Sequence, residues 1–141
     1  MLKIPGTYNK PTIEFNTETG VLLIEGTSFT VNSFDFYMPL LNAIAEYKKN
    51  PQAQTRIYFK LDYLNTSSSK SILDVLRELE LLNENSKVII YWYYEKADIE
   101  MLETGKSYQA IVNLPFCLVG VEPSKASVIR FFKSPQKDKG F

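Results

Sequence analysis

The run Val88-Ile89-Ile90-Tyr91-Trp92-Tyr93-Tyr94 constrains this chain more than any other feature. A strand with one face in water alternates apolar and polar residues, whereas a strand covered on both faces reads as a continuous apolar run. The run is far too short to span a membrane and is rich in β-branched and aromatic side chains. It therefore predicts a central strand buried between layers.

The other elements arrange themselves around it. Residues 12–15 and 21–25 read as two strands joined by the polar loop Asn16-Thr17-Glu18-Thr19-Gly20, a hairpin signature. Asn32-Ser33 then offers a cap to a helix carrying Phe36, Tyr37, Leu40, Leu41, Ile44 and Tyr47 at helical spacing. Pro39 interrupts it, so either the regular helix starts near Pro39 or it bends there. Asn50-Pro51 ends the element. Residues 56–64 form a strand with Ile57, Phe59, Leu61 and Tyr63 on one face. A second helix covers about 69–83, with Ile72, Leu73, Leu76, Leu79 and Leu82 as its apolar stripe. A third covers roughly 98–104 and stops at Gly105, and residues 116–121 make a fifth strand. A hairpin followed by strand-helix alternation implies one α/β domain, with a mixed sheet of about five strands, an antiparallel N-terminal hairpin and flanking helices.

The domain is expected over residues 1–121, followed by a basic tail over 122–141. There Lys125, Arg130, Lys133, Lys137 and Lys139 outnumber Glu122 and Asp138, around the apolar segment Val128-Ile129-Arg130-Phe131-Phe132. Two readings stand for it: an apolar segment packed on its own domain, which is favoured, or a basic contact with a membrane or partner.

Much chemistry is excluded. The chain has no histidine, which removes Ser-His-Asp and Cys-His nucleophile systems, a histidine base and every histidine-containing metal site. Its one cysteine, Cys117, lies in an apolar segment and reads as a small core residue. Asp62, Asp98 and Glu100 show no ligand spacing, so no metal, cofactor or catalytic group is expected. With 16 basic and 16 acidic residues there is no footprint for nucleic acid. No basic stretch leading into an apolar run opens the chain and no membrane-length apolar stretch occurs, so a cytoplasmic protein without membrane insertion is the expectation.

What remains is the segment Tyr63-Leu64-Asn65-Thr66-Ser67-Ser68-Ser69-Lys70, where strand hands over to helix. A helix start leaves backbone N–H groups without internal partners and carries partial positive charge. Hydroxyl residues cap such a start, and the same geometry accommodates a phosphate, free or attached. Asn65 is placed to hold the loop. Ser67 and Ser68 are candidate caps or alternative acceptors, and Lys70 is a candidate partner for the phosphate. Two readings follow: an adaptor switched by a phosphate on Thr66, or a domain binding a nucleotide or phosphate at that helix start with Trp92 and its strand as a wall. A loop holding a free phosphate usually contains several glycines. None occurs between Gly26 and Gly105, which favours the adaptor.

The strand-loop-helix around Asn65 resembles STAS-type anti-sigma-factor antagonists. More closely, the chain is similar to the SiaC family of bacterial regulatory phosphoproteins. The similarity rests on Thr12-Ile13-Glu14-Phe15 with Gly20 and Gly26, on Asn32-Ser33 with Phe36-Tyr37-Met38-Pro39-Leu40-Leu41, on the Thr66 segment, on Trp92-Tyr93-Tyr94, on Met101-Leu102-Glu103-Thr104-Gly105 and on Pro115-Phe116. It runs in register from about Ile4 to Val119. The resemblance implies a non-enzymatic protein with a STAS-like fold, whose threonine in Asn-Thr-Ser-Ser, here Thr66, is phosphorylated by a protein kinase. It further implies that a PP2C-type phosphatase removes the phosphate and that the unmodified form binds and activates a diguanylate cyclase. Two departures are visible: Thr30-Val31 stand where family members usually carry Pro-Glu, and Ala97 and Ile99 dilute an acidic run around Asp98 and Glu100. The expected effector surface joins Asn65, Ser67, Lys70 and Asp98 to Asn32 and Ser33, with Phe34 or Tyr37 as apolar anchor.

Overall fold

Gly20 closes the first hairpin because the turn needs a left-handed backbone there, φ 71°. Asn16 holds the same turn by accepting from the N–H groups of Glu18 and Thr19. In the computed structural model, which describes residues 1–123, this hairpin joins β2 (Thr12–Asn16) to β3 (Val21–Ser28). A short strand that the sequence pattern did not flag, β1 (Leu2–Ile4), pairs antiparallel with β2. After β3 the order is α1 (Ser33–Tyr47), β4 (Gln54–Leu64), α2 (Thr66–Leu82), β5 (Lys87–Glu95), α3 (Ile99–Ile111) and β6 (Phe116–Val121). The six strands lie in the order β1-β2-β3-β4-β5-β6, antiparallel through β3 and parallel from β3 onward. The expected mixed sheet is thus present, with six strands.

Strand order decides where the helices go. Three successive crossovers advance in the same direction, and right-handed connections then put α1, α2 and α3 on one face. Their buried residues meet Leu22, Ile24, Ile57, Phe59, Ile90 and Trp92 in one core. This corrects the expectation for residues 88–94. The strand is internal to the sheet, but only Val88, Ile90 and Trp92 are buried, while Ile89, Tyr91 and Tyr93 are half-buried on the face without helices. Those side chains are apolar because they shield one another. Tyr58 and Tyr91 stack at 5.0 Å, and Lys60 Nζ lies 5.1 Å from the Tyr93 ring centroid. Alternation also places Cys117 on that face of an outer strand, where it is exposed rather than a core residue.

Gly105 does not stop the third helix, which continues to Ile111. Its role is close approach. A Cβ there would lie 2.5 Å from Trp92 Cδ1 and 2.8 Å from Leu118 Cδ2. Gly105→Ala gains roughly 1 kcal/mol of helix propensity and loses about 1–3 kcal/mol to overpacking. We expect a net loss of about 1 kcal/mol, read as a lower urea midpoint. A midpoint that rises would mean that Trp92 has room to move. Similarly, α1 starts at Ser33 and runs through Pro39, and α2 starts at Thr66, three residues before the apolar stripe suggested.

Candidate functional site

Thr66 is the first residue of α2 and is exposed. It is not the cap. Asn65 fills that position in extended conformation, its Oδ1 accepting the Ser68 N–H at 2.9 Å while its Nδ2 donates to the Thr30 carbonyl at 2.8 Å. One side chain therefore ties the start of α2 to the loop that enters α1. A bulge sits just ahead: β3 partners jump from Gly26–Leu61 to Thr27–Tyr63, leaving Asp62 as the extra residue of β4.

Beneath Thr66 lies a cluster of buried hydroxyls. Ser28 Oγ donates to Ser68 Oγ at 2.7 Å and bonds Tyr37 Oη at 2.7 Å. Ser33 Oγ lies 3.2 Å from Ser68 Oγ and also bonds Thr30 Oγ1. All five side chains are buried, and no buried side-chain polar atom among the described residues lacks a partner. Burial pushes the Tyr37 phenol well above its ordinary pKa, so it stays a neutral hydrogen-bonding group. The cluster fastens the end of β3, the start of α1 and the start of α2 to one another. A comparable hydroxyl chain, Tyr47–Thr55–Ser86, joins α1, β4 and the loop into β5 at the opposite end of the sheet. Such clusters are thus part of how this fold closes its ends.

Buried hydroxyls that satisfy one another are costly to break singly. Ser68→Ala and Tyr37→Phe are each expected to lower stability by about 1–3 kcal/mol, whereas half-buried Ser67→Ala should stay within about 0.5 kcal/mol. Chemical denaturation of the three variants checks this. Equal midpoints would mean that the cluster contributes nothing to holding the α2 start.

Two shallow hollows flank Thr66. One, of about 250 Å³, is lined by Val31, Asn32, Ser33, Phe34, Ser67, Lys70, Ser71 and Asp74. The other, of about 80 Å³, is lined by Asp62, Tyr63, Leu64, Ser69, Asp98, Glu100, Met101 and Thr104. Asn32, Ser33, Ser67 and Lys70 therefore meet on the α1 side of Thr66, and Asp98 lies on the α3 side, where its carboxylate caps α3 through the Met101 N–H. On the same flank Tyr108 Oη donates to the Ser69 carbonyl at 2.7 Å, and burial pushes that phenol's pKa up to about 12. Asn32 caps α1, accepting from the Asp35 N–H at 3.3 Å. Ser68 faces inward, so it is closed to modification in the folded chain. Of the two expected anchors, Tyr37 is fully buried and Phe34 is 54% exposed.

The electrostatics of the three helix starts differ. The first turn of α1 carries Asp35 and that of α3 carries Glu100, but that of α2 carries no acid. A phosphate on Thr66 would put negative charge at the one start that lacks it, with exposed Lys70 one turn on. Sequence reading missed Ser28 and the exposed Phe29, and named Thr30 only beside Val31 as a departure from a family pattern. Ser28 was detectable as a small polar residue in register with the inward-facing Leu22 and Ile24. Val31 was noted only as a departure from a family pattern, although it is fully exposed beside Asn32.

Trp92 is no pocket wall. It is fully buried, with its Nε1 donating to the Met101 carbonyl at 3.0 Å. Among the described residues no cluster of three or more potential metal ligands occurs, and no helix is long and apolar enough to cross a membrane.

The profile of the SiaC family of regulatory phosphoproteins matches residues 4–121. An uncharacterised protein of Pseudomonas aeruginosa (strain UCBPP-PA14) is 27% identical over 118 residues, covering 83% of this chain and 94% of that protein. The crystal structure of apo-SiaC from Pseudomonas aeruginosa superposes with a TM-score of 0.77 at 27% identity, covering 84% of this chain and 97% of SiaC. SiaC bound to the diguanylate cyclase SiaD, which it activates, gives 0.79 at 26% identity over 86% of this chain and 100% of that one.

Proposed function

The chain belongs to the SiaC family of regulatory phosphoproteins, and on that premise we propose that it is a non-catalytic adaptor switched by phosphorylation of Thr66. In this reading the unmodified form binds and activates a diguanylate cyclase-type effector. A protein kinase adds the phosphate and a PP2C-type phosphatase removes it. The observation that carries the reading is the setting of Thr66: exposed, at an acid-free helix start, on a surface shared by α1 and α2. A phosphate there gains on the order of 1 kcal/mol from the helix terminus. Modification is therefore compatible with the fold, and its consequence falls on whatever docks outside. The structure of SiaC with SiaD supports the choice of effector class.

The alternative, a nucleotide- or phosphate-binding domain, loses its aromatic wall with Trp92 in the core. Intact mass of the protein expressed with its kinase separates the two. One added phosphate localised to Thr66 supports the switch, whereas a co-purifying nucleotide with an unmodified chain overturns it.

A further inference from the structure

Apolar side chains left in water gather at one loop. Of the eight large apolar side chains exposed among the described residues, three fall within six positions: Phe29 at 49%, Val31 at 101% and Phe34 at 54%. Exposed apolar groups scattered singly mean little, whereas a cluster marks a surface that another molecule covers. This cluster adjoins Thr66, because Val31 and Phe34 line the same hollow as Ser67 and Lys70.

The fully exposed Val31 side chain cannot fix its own backbone by packing, so hydrogen bonds must set the shape of residues 29–32. At one end the Phe29 N–H donates to the Asn9 carbonyl at 2.9 Å, and the Phe29 ring lies 5.8 Å from that of Tyr63. At the other end Asn32 caps α1 and donates from Nδ2 to the Asp35 carboxylate at 2.8 Å. Between them Thr30 turns its hydroxyl inward to Ser33, and its carbonyl accepts from Asn65 Nδ2 at 2.8 Å. That amide comes from 35 residues further along the chain, directly before Thr66.

We propose that Asn65 is a positioning residue for effector binding: its bond to the Thr30 carbonyl holds residues 29–32 in the shape that presents Phe29 and Val31 beside Thr66. The inference rests on the function proposed above and adds which apolar groups the effector covers and what keeps them in place. The two ends of the Asn65 amide have separate tasks. Oδ1 caps α2 through the Ser68 N–H at 2.9 Å, which Ser, Thr or Asp could also do. Nδ2 reaches the loop, and among these capping residues asparagine alone has an N–H donor on a different atom from its acceptor. A loop released from Nδ2 samples other shapes, and apparent affinity falls with the fraction of time spent in the competent one.

Two substitutions separate the tasks. Asn65→Asp keeps the capping oxygen and sets a second acceptor against the Thr30 carbonyl. Asn65→Ser keeps a capping oxygen, adds no charge and is too short to bridge both groups. Both variants are expected to keep the native urea midpoint, while NMR amide order parameters of residues 30–32 fall from about 0.85 to below about 0.6. Affinity for a purified diguanylate cyclase, measured by titration calorimetry, should drop about tenfold in each, as a loop competent about a tenth of the time requires. Val31→Ser should weaken binding by about tenfold with the loop still ordered, because it removes apolar contact alone. Unchanged loop order in both Asn65 variants would overturn the proposal, as would a freed loop or Val31→Ser with native affinity. Loop disorder in Asn65→Asp alone would mean that the carboxylate repels the loop, and an affinity loss that merely tracks a lowered midpoint would reduce Asn65 to a cap. Either result also overturns it. Native protein that binds no cyclase ends the proposed function and this inference together, whereas the other results end this inference alone.

Discussion

Phosphorylation of Thr66 is expected to weaken effector binding by about a thousandfold, roughly 4 kcal/mol. The added group brings between about −1.5 and −2 charge units at neutral pH. Inside the fold that charge would meet no acid in the first turn of α2, which begins with Asn65 as cap. At an interface it must be desolvated or opposed, and an unpaired charge buried in a contact costs several kcal/mol. Nearby apolar surface makes this acute: Val31 is fully exposed and Phe34 half-exposed in the hollow adjoining Ser67 and Lys70. Since Asn65 and not Thr66 is the cap, Thr66→Ala should leave stability within about 0.5 kcal/mol. It should bind the effector as the unmodified protein does. Thr66→Asp carries a single charge and should fall between. Titration calorimetry with a purified diguanylate cyclase, beside its rate of cyclic-di-GMP synthesis, measures each term. Phosphorylated and unmodified chains that bind equally would end the switch reading, whatever Thr66→Asp does.

Trp92→Ala should cost about 3–5 kcal/mol of folding stability, the largest single loss we foresee. The indole is fully buried, with ring centroids 5.2 Å from Phe59, 5.4 Å from Tyr108 and 6.1 Å from Phe116. Its removal opens a cavity beneath α3 and strips the Met101 carbonyl of the Nε1 donor. Against a total stability of about 5–15 kcal/mol, this leaves a marginal protein. Urea denaturation followed by far-ultraviolet circular dichroism would show it. A loss below about 1 kcal/mol would contradict the packing of this core. Stability restored by added nucleotide would revive a ligand-wall role for the strand.

The elements were legible wherever a local rule set them. The hairpin loop at 16–20, the cap at Asn32, the apolar stripe of α2 and the strand-to-helix junction at Asn65 all follow from side-chain and backbone chemistry within a few residues. The failures share one cause. Gly105 reads as a helix stop because glycine commonly follows a last turn, yet here it makes room for Trp92 from another strand. Leu2–Ile4 was missed because a three-residue edge strand has too little pattern to register, and only pairing with β2 defines it. Cys117 and the run at 88–94 were both assigned to an interior that, among the described residues, one side of the sheet does not have. The tail was read over residues 122–141, of which 124–141 lie outside the described part.

By itself, then, the sequence determined the class of fold, the exclusion of histidine chemistry and the position of a hydroxyl-rich helix start, because each depends on composition or on neighbours along the chain. Tertiary structure decided which of those hydroxyls face out. Thr66 and Ser68 are two residues apart on one helix turn, and only the packing of α2 against α1 and β3 turns Ser68 into a buried link with Ser28 and Ser33 while leaving Thr66 in solvent. It also decided that, among the described residues, one face of the sheet carries no helix. That follows from strand order and the right-handedness of the crossovers, a long-range property that no local window of residues contains.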